Sequence, residues 1–149
     1  MQVTELLRRY IAGERDFTRV DLAEVNLSNA CLVGIDLSGS VLSGAKLSGA
    51  NLTQADFLCT DLCWAFLPET NLTKANLRYA DLCKTDLRLA ILCEADLYRA
   101  NLSGADLSEA NLSKANLSYT RVPRVTVLVS KVALQFLEGF ICDHFSKGL

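Results

Sequence analysis

Leu or Phe stands at every fifth position from Phe17 to Leu117, and each sits in the same short setting. A mostly small residue lies two places before it, Asp or Asn one place before it in sixteen of twenty-one units (Cys31, Val41, Lys46, Phe66 and Ile91 being the exceptions), and two variable residues follow. Twenty-one such centres succeed one another without insertion; nineteen are Leu, and Phe17 and Phe57 are the exceptions. The residue two before the centre is Ala in thirteen units and otherwise mostly small or β-branched, as at Val20, Val25, Ile35, Thr60 and Thr85, with Arg15 the one bulky charged case. A helical face recurs at spacings of three and four and a half-buried strand at two, so a sustained period of five fits neither. A repeat too short to bury its own apolar face must stack on its neighbours, and the predicted architecture is a solenoid. The centre and the small residue two before it are locally in period two, so both point inward, the Asp or Asn between them points outward, and the next two residues turn the corner.

Ala50-Asn51-Leu52-Thr53-Gln54 and Ala105-Asp106-Leu107-Ser108-Glu109 resemble units of the pentapeptide-repeat family, and the resemblance extends over roughly residues 15 to 121. The run Leu7 to Phe17 is likewise similar to the start of many cyanobacterial members of that family. The resemblance implies an all-β solenoid, a right-handed quadrilateral β-helix with four pentapeptides and twenty residues per coil. Twenty-one units then make about five coils, a rod about 25 Å long at ~4.8 Å per coil. Leu fills the square interior and Ala lets four walls approach closely, so Leu62→Asp is expected to bury an unpaired carboxylate at a cost of several kcal/mol.

All nine Asp residues between positions 15 and 121 sit just before a centre, which invites a reading as acid/base pairs or calcium ligands. Asn takes the same position at Asn26, Asn51, Asn71, Asn76, Asn101, Asn111 and Asn116. A position that accepts amide and carboxylate alike asks for a hydrogen-bond acceptor on the backbone, as in an Asx turn, rather than for charge.

Charge narrows the function classes. The net charge is -2, and residues 15 to 121 carry ten Lys or Arg against thirteen Asp or Glu, so neither direct nucleic-acid binding nor a strongly acidic face is predicted. Some relatives in the family mimic a DNA duplex in the DNA site of type II topoisomerases; that reading stands as the alternative to a protein-interaction or scaffold module. Enzymatic chemistry has no support: a Cys nucleophile needs a base, a hydrolytic Ser needs His, and the one His, His144, lies in the tail. Gly34, Gly39, Gly44 and Gly49 recur at a corner instead of forming a phosphate loop. No cofactor and no metal set is predicted. The first apolar run is broken by Glu5, Arg8 and Arg9, so neither a secretory signal nor a membrane span is expected, the location is expected to be cytoplasmic, and the six Cys are read as reduced thiols.

On a twenty-residue ruler Cys63 lies beneath Cys83 in a column that otherwise reads Ser43 and Ser103, at a separation compatible with a disulfide but with parallel side-chain vectors. Cys59 is one corner away, and a metal site from these three lacks a fourth ligand. The units from Leu58 to Pro68 depart most from the small polar pattern. Leu58, Trp64 and Phe66 there are the candidate partner-binding residues, exposed aromatics being enriched in binding hot spots. For Trp64 the competing reading is local packing, with the indole over Gly44 and Lys84 above it in a cation–π contact. Tyr79, Arg99 and Tyr119 form one column beside Arg78 and Tyr98, and Lys74, Glu94 and Lys114 form another; both are read as structural ladders.

The ends of a solenoid expose unpaired backbone and call for caps. Residues 1–14 are predicted to supply a helix with Thr4 as N-cap, an apolar stripe of Leu6, Leu7, Tyr10 and Ile11, and Gly13 just past its end. Residues 15–122 are the β-helix. Residues 123–149 are crowded with apolar side chains, including Val129, Phe136 and Phe140, and read as an amphipathic helix, with or without a short strand at its start. That tail is expected to cap the last coil and to offer its surplus face to a second copy or another partner, with Val129, Phe136 and Phe140 as contacts.

Overall fold

A computed structural model of the protein describes residues 1–122. The chain advances by single-residue parallel bridges that join each residue before a centre to its counterpart twenty positions on, eighteen in all from Asp16↔Asp36 to Asn101↔Arg121. Each coil is therefore four five-residue walls, a quadrilateral β-helix. Cys63 and Cys83, one coil apart, have their Cα atoms at 4.7 Å, the ordinary inter-strand distance.

The corner explains the five-residue unit. From Leu22 onward the centre's carbonyl accepts the N–H of the residue three places on, as in Val25 to Leu22 and Ala65 to Leu62, closing a turn at each wall, while at Phe17 the Ser40 hydroxyl stands between the Val20 N–H and the Phe17 carbonyl. The second residue after the centre takes positive φ throughout, near +57° at Glu24 and +62° at Trp64, as the third position of a type II turn requires. Sixteen non-glycine residues adopt this conformation, including outward side chains as large as Trp64 and Tyr79. Each therefore costs free energy that the coil-to-coil ladder must offset. Gly39 and Gly44 remove that cost at their corners.

Two side-chain devices complete the backbone accounting. All sixteen Asp and Asn residues before a centre accept, through Oδ1, the N–H two residues on, at distances from 2.9 to 3.2 Å. The Asp column is thus the set of Asx turns that Asn substitution implied. Buried hydroxyls form the second device: Thr60, Thr70 and Thr85 each donate Oγ1 to the carbonyl of the centre twenty-three residues earlier, at 2.8 to 2.9 Å. The position two before a centre thus admits Thr as well as Ala, because the wall behind it offers a carbonyl. No buried side-chain polar atom among the described residues lacks a partner.

The core is one column. Every centre from Phe17 to Leu112 is buried, with Ile35 and the inward Ala residues between them, while Leu117 is half-buried. Helix α1, Val3–Ile11, lies on the first coil, where Leu6 is fully buried in the same cluster as Phe17, and Val3, Leu7 and Tyr10 are partly buried. Tyr10 donates its hydroxyl to Val33 O at 2.8 Å, and the Arg15 guanidinium lies 3.9 Å from the Tyr10 ring, which accounts for the charged residue at the head of the repeat. Gly13 sits just past the helix with φ +99°, as expected. Two expectations fail. Gln2, not Thr4, is the N-cap, without a side-chain hydrogen bond, because packing of Val3 and Leu7 on the first coil draws the helix out by two residues. Ile11 is 83% exposed, since the helix seats only the Leu6 side on the coil. The predicted tail helix, with Val129, Phe136 and Phe140, lies outside the described residues. No helix among the described residues is long and apolar enough to cross a membrane.

Candidate functional site

The corner after Leu62 and Leu82 gathers most of what departs from the repeat. It is built from two stacked turns, Leu62 to Ala65 and Leu82 to Thr85, whose corner residues are Cys63-Trp64 and Cys83-Lys84. Asp61 and Asp81 fix each turn by accepting the N–H of Cys63 at 2.9 Å and of Cys83 at 3.1 Å. The Trp64 N–H donates to Cys83 O at 2.9 Å, tying the two turns directly.

Trp64 is 63% exposed, and Lys84 Nζ lies 4.4 Å from its ring centroid. The cation–π contact read from the sequence is present. The companion idea, an indole lying over Gly44, is not: a Cβ added at Gly44 would meet Glu24 Cγ at 3.4 Å and no other atom within 4 Å. The reason is a common lean. Glu24 reaches over Gly44 and Lys84 over Gly104, so side chains at this corner point toward the following coil, and Trp64 covers Lys84 in the same way. Gly104 gives the Lys84 stem its room, with 3.1 Å from Lys84 Cγ to an added Cβ.

Phe66 stands on the next wall, bridged to Lys46 and Asp86, and is 41% exposed. Trp64 and Phe66 therefore flank one edge of the same coil. Leu58, 37% exposed, does not join them; its register puts it one corner earlier, below Arg78. There it heads a different strip, in which Tyr98 packs edge-on against Tyr79 at 5.7 Å and Tyr119 at 5.6 Å, with the Arg78 and Arg99 guanidiniums over these rings. The tyrosine and arginine ladder is thus a self-packed structural surface, as the columns suggested. Of the Lys74, Glu94 and Lys114 ladder, Lys74 and Glu94 pair, at 3.8 Å.

Sequence reasoning missed the charge arrangement beside Phe66. Arg88 grips Asp86 at 2.7 and 2.9 Å and comes within 3.9 Å of Asp106, spanning two coils. The Arg88 guanidinium holds the Asp86 carboxyl below the usual carboxylate range. The signal was legible only as Arg two places after Asp, a spacing common on any surface.

Cys63 and Cys83 are joined by a disulfide, which corrects the reading of these two as reduced thiols. In-register stacking brings the column together whatever the residue, and here both members carry sulfur. Asp81 lies beside them, its carboxylate within 4.8 Å of the sulfurs. Bonded to each other, the sulfurs have no thiolate for a metal, and Cys59 is not in the group. Cys59 and Cys31 are exposed free thiols and Cys93 is half-buried. A shallow recess between the start of α1 and the first coil is lined by Met1, Gln2, Val3, Thr4, Asp21, Ala23 and Val25, without converging catalytic groups.

Among known proteins, the family model described as pentapeptide repeats matches residues 21–57, 57–93 and 90–125, with eight copies. The pentapeptide repeat protein Rfr23 from the cyanobacterium Cyanothece 51142 is similar at a TM-score of 0.63 and 25% identity, over 81% of this chain and 99% of that one. The pentapeptide repeat protein alr5209 from Nostoc PCC 7120 is 35% identical over 83% of this chain and 87% of that one, with a TM-score of 0.44. HetL from Nostoc sp. strain PCC 7120, a pentapeptide repeat protein involved in heterocyst differentiation regulation, is 24% identical over 83% and 98%, with a TM-score of 0.35. A putative diflavin flavoprotein A 2 of Nostoc sp. strain PCC 7120 is 67% identical over 27 residues, so the chain spans 5% of the length of that curated relative.

Proposed function

Since this chain belongs to the pentapeptide-repeat family, whose members form right-handed quadrilateral β-helices, we propose that it is a non-enzymatic interaction module. Its roughly five coils act as a rigid post, closed at one end by α1, that presents the Trp64 and Phe66 edge to a protein partner. One observation carries this reading: Phe66 is the one aromatic at a position that is Asp or Asn in sixteen of the twenty-one units, and it stands exposed next to a tryptophan 63% exposed, in the middle of the rod. Large aromatics at the centre of a polar surface supply contact energy on binding, whereas the surrounding Asx turns supply only rigidity. The tail residues Val129, Phe136 and Phe140 are a second contact in the same proposal, to a partner or a second copy. The topoisomerase-mimic alternative is less favoured, because the described charges alternate along the rod, as in Arg88 with Asp86 and Arg78 with Asp96, and a duplex mimic needs a continuous acidic stripe.

The test is affinity capture from a cyanobacterial lysate with the wild-type chain, Trp64→Ala/Phe66→Ala and Leu58→Ala. A protein retained by wild type and by Leu58→Ala and lost with the double variant is the expected result. Identical captures by all three would remove the edge from consideration, and inhibition of gyrase supercoiling at low protein concentration would favour the mimic.

A further inference from the structure

The corner that carries Trp64 also carries the one disulfide among the described residues, and the two features share a backbone. Cys63 precedes Trp64, Cys83 precedes Lys84, and both corner residues are held at positive φ by turns stacked 4.7 Å apart at Cα. At the corner itself the two coils are therefore joined by the Trp64 N–H to Cys83 O, by the indole over Lys84 and by the sulfur bridge, with the Leu62 N–H to Asp81 O and the Asp86 N–H to Ala65 O on either side.

We propose that Cys63 and Cys83 form a reversible thiol–disulfide exchange site, reacting with external dithiols and disulfides, whose state sets the freedom of the Trp64–Lys84 pair. Two observations favour exchange over a bridge needed only for folding. First, both cysteines sit on the outward side of the wall and are only half-buried, so an external thiolate has a path to the bond. Second, both redox states fit the fold. The ladder holds the two turns together without the bridge, and Ser43 and Ser103 occupy the same column in the adjoining coils as unbridged side chains of nearly the same shape.

The chemistry balances with the co-reactant named. In oxidation one protein thiolate attacks an external disulfide and displaces one thiolate. The second protein thiolate then attacks the mixed disulfide and displaces the other. The protein loses two protons and two electrons, and the external disulfide becomes two thiols. Reduction is the reverse, with an external dithiol leaving as its own disulfide. Bridged, the corner fixes Cys63 against Cys83 and so the indole against Lys84. Reduced, it relies on the backbone ladder and the cation–π contact, and Trp64 gains freedom. Any consequence for partner binding rests on the interaction reading above, whereas the coupling to Trp64 is measured on the chain alone.

Trp64 is the only tryptophan in the chain, so its emission reports this corner without labelling. The full-length protein, purified without reductant, is alkylated and peptide-mapped before and after treatment with dithiothreitol and again after return to oxidised glutathione. Trp64 emission and acrylamide quenching are followed in parallel. Cys63 and Cys83 should become alkylated together only after reduction and be protected again by the disulfide, with emission and quencher access rising and falling in step. Cys63→Ser/Cys83→Ser, a substitution the column already contains, should show no such response while keeping its far-UV spectrum. Free alkylation of Cys63 or Cys83 before reduction would overturn the proposal. So would failure of the bridge to re-form, or an unchanged Trp64 signal across a completed redox cycle. None of these outcomes depends on a partner.

Discussion

Leu62→Ala tests the claim that the core is a closed column rather than a soft apolar interior. Leu62 is fully buried in the middle of the rod, and its wall is tied on both sides: its own N–H donates to Asp81 O at 2.8 Å and the Leu42 N–H to Asp61 O at 2.7 Å. Removing Cγ and both Cδ atoms forfeits about 2.4 kcal/mol at ~0.8 kcal/mol per buried carbon group. The walls cannot close over the gap, because every coil is bonded to the next on all four sides, so the cavity contribution brings the total toward ~4 kcal/mol. The loss is also central, weakening the interfaces to both neighbouring coils. Leu117, half-buried in the last described coil, provides the internal control, and Leu117→Ala should cost roughly 1 to 2 kcal/mol, because part of its side chain already meets solvent. Urea unfolding followed by far-UV circular dichroism, with Trp64 emission as a second probe, gives both values. Unchanged slopes would show that only stability has moved. If Leu62→Ala cost no more than Leu117→Ala, the column would be able to collapse and the argument from fixed walls would be wrong.

Three further outcomes follow from particular contacts. Asp56 Oδ1 accepts the Leu58 N–H and the Asn76 amide, so Asp56→Asn should fall within about 0.5 kcal/mol of wild type and Asp56→Ala should lose about 1 to 2 kcal/mol in the same urea assay; equal losses would mean that charge matters after all. Thr60→Val keeps the volume and removes the bond to Leu37 O, a carbonyl that retains the Ser40 N–H, so the cost should be about 1 kcal/mol, and a loss beyond ~3 kcal/mol would show that the hydroxyl does more than the backbone accounting allows. Because the Arg88 guanidinium depresses the folded-state pKa of Asp86, the pair's contribution is fully present above the ordinary carboxylate range and is lost as pH falls through the folded value; Arg88→Ala should raise the Asp86 carboxyl pKa in NMR titration and flatten that part of the acid stability curve, and an unmoved titration would dismiss the pair.

Much of this molecule is legible before any coordinates, because a strict period imposes the same environment at every turn. Leu at the centre, Ala two before it and Asp or Asn between them each have one role, repeated until chance alignment is excluded. The tail with Val129, Phe136 and Phe140 is outside the described residues. The failures occur where the repeat says nothing. Thr4 lost the N-cap because packing of Val3 extends the helix, and Ile11 faces water because one face of α1 meets the coil. Leu58 and Trp64 are neighbours in sequence and occupy different corners, since each five-residue step turns onto a new wall.

The sequence by itself determined the column: its period, its inward residues, its Asx turns and its corner glycines. Those depend on local backbone chemistry that recurs in every unit. Only the tertiary structure decided the lean of the corner side chains toward the following coil, the grip of Arg88 on Asp86, and the joining of Cys63 to Cys83 beside Trp64. These are contacts between residues twenty or so apart, or between free rotamers at one corner, and their geometry exists only once coil is stacked on coil.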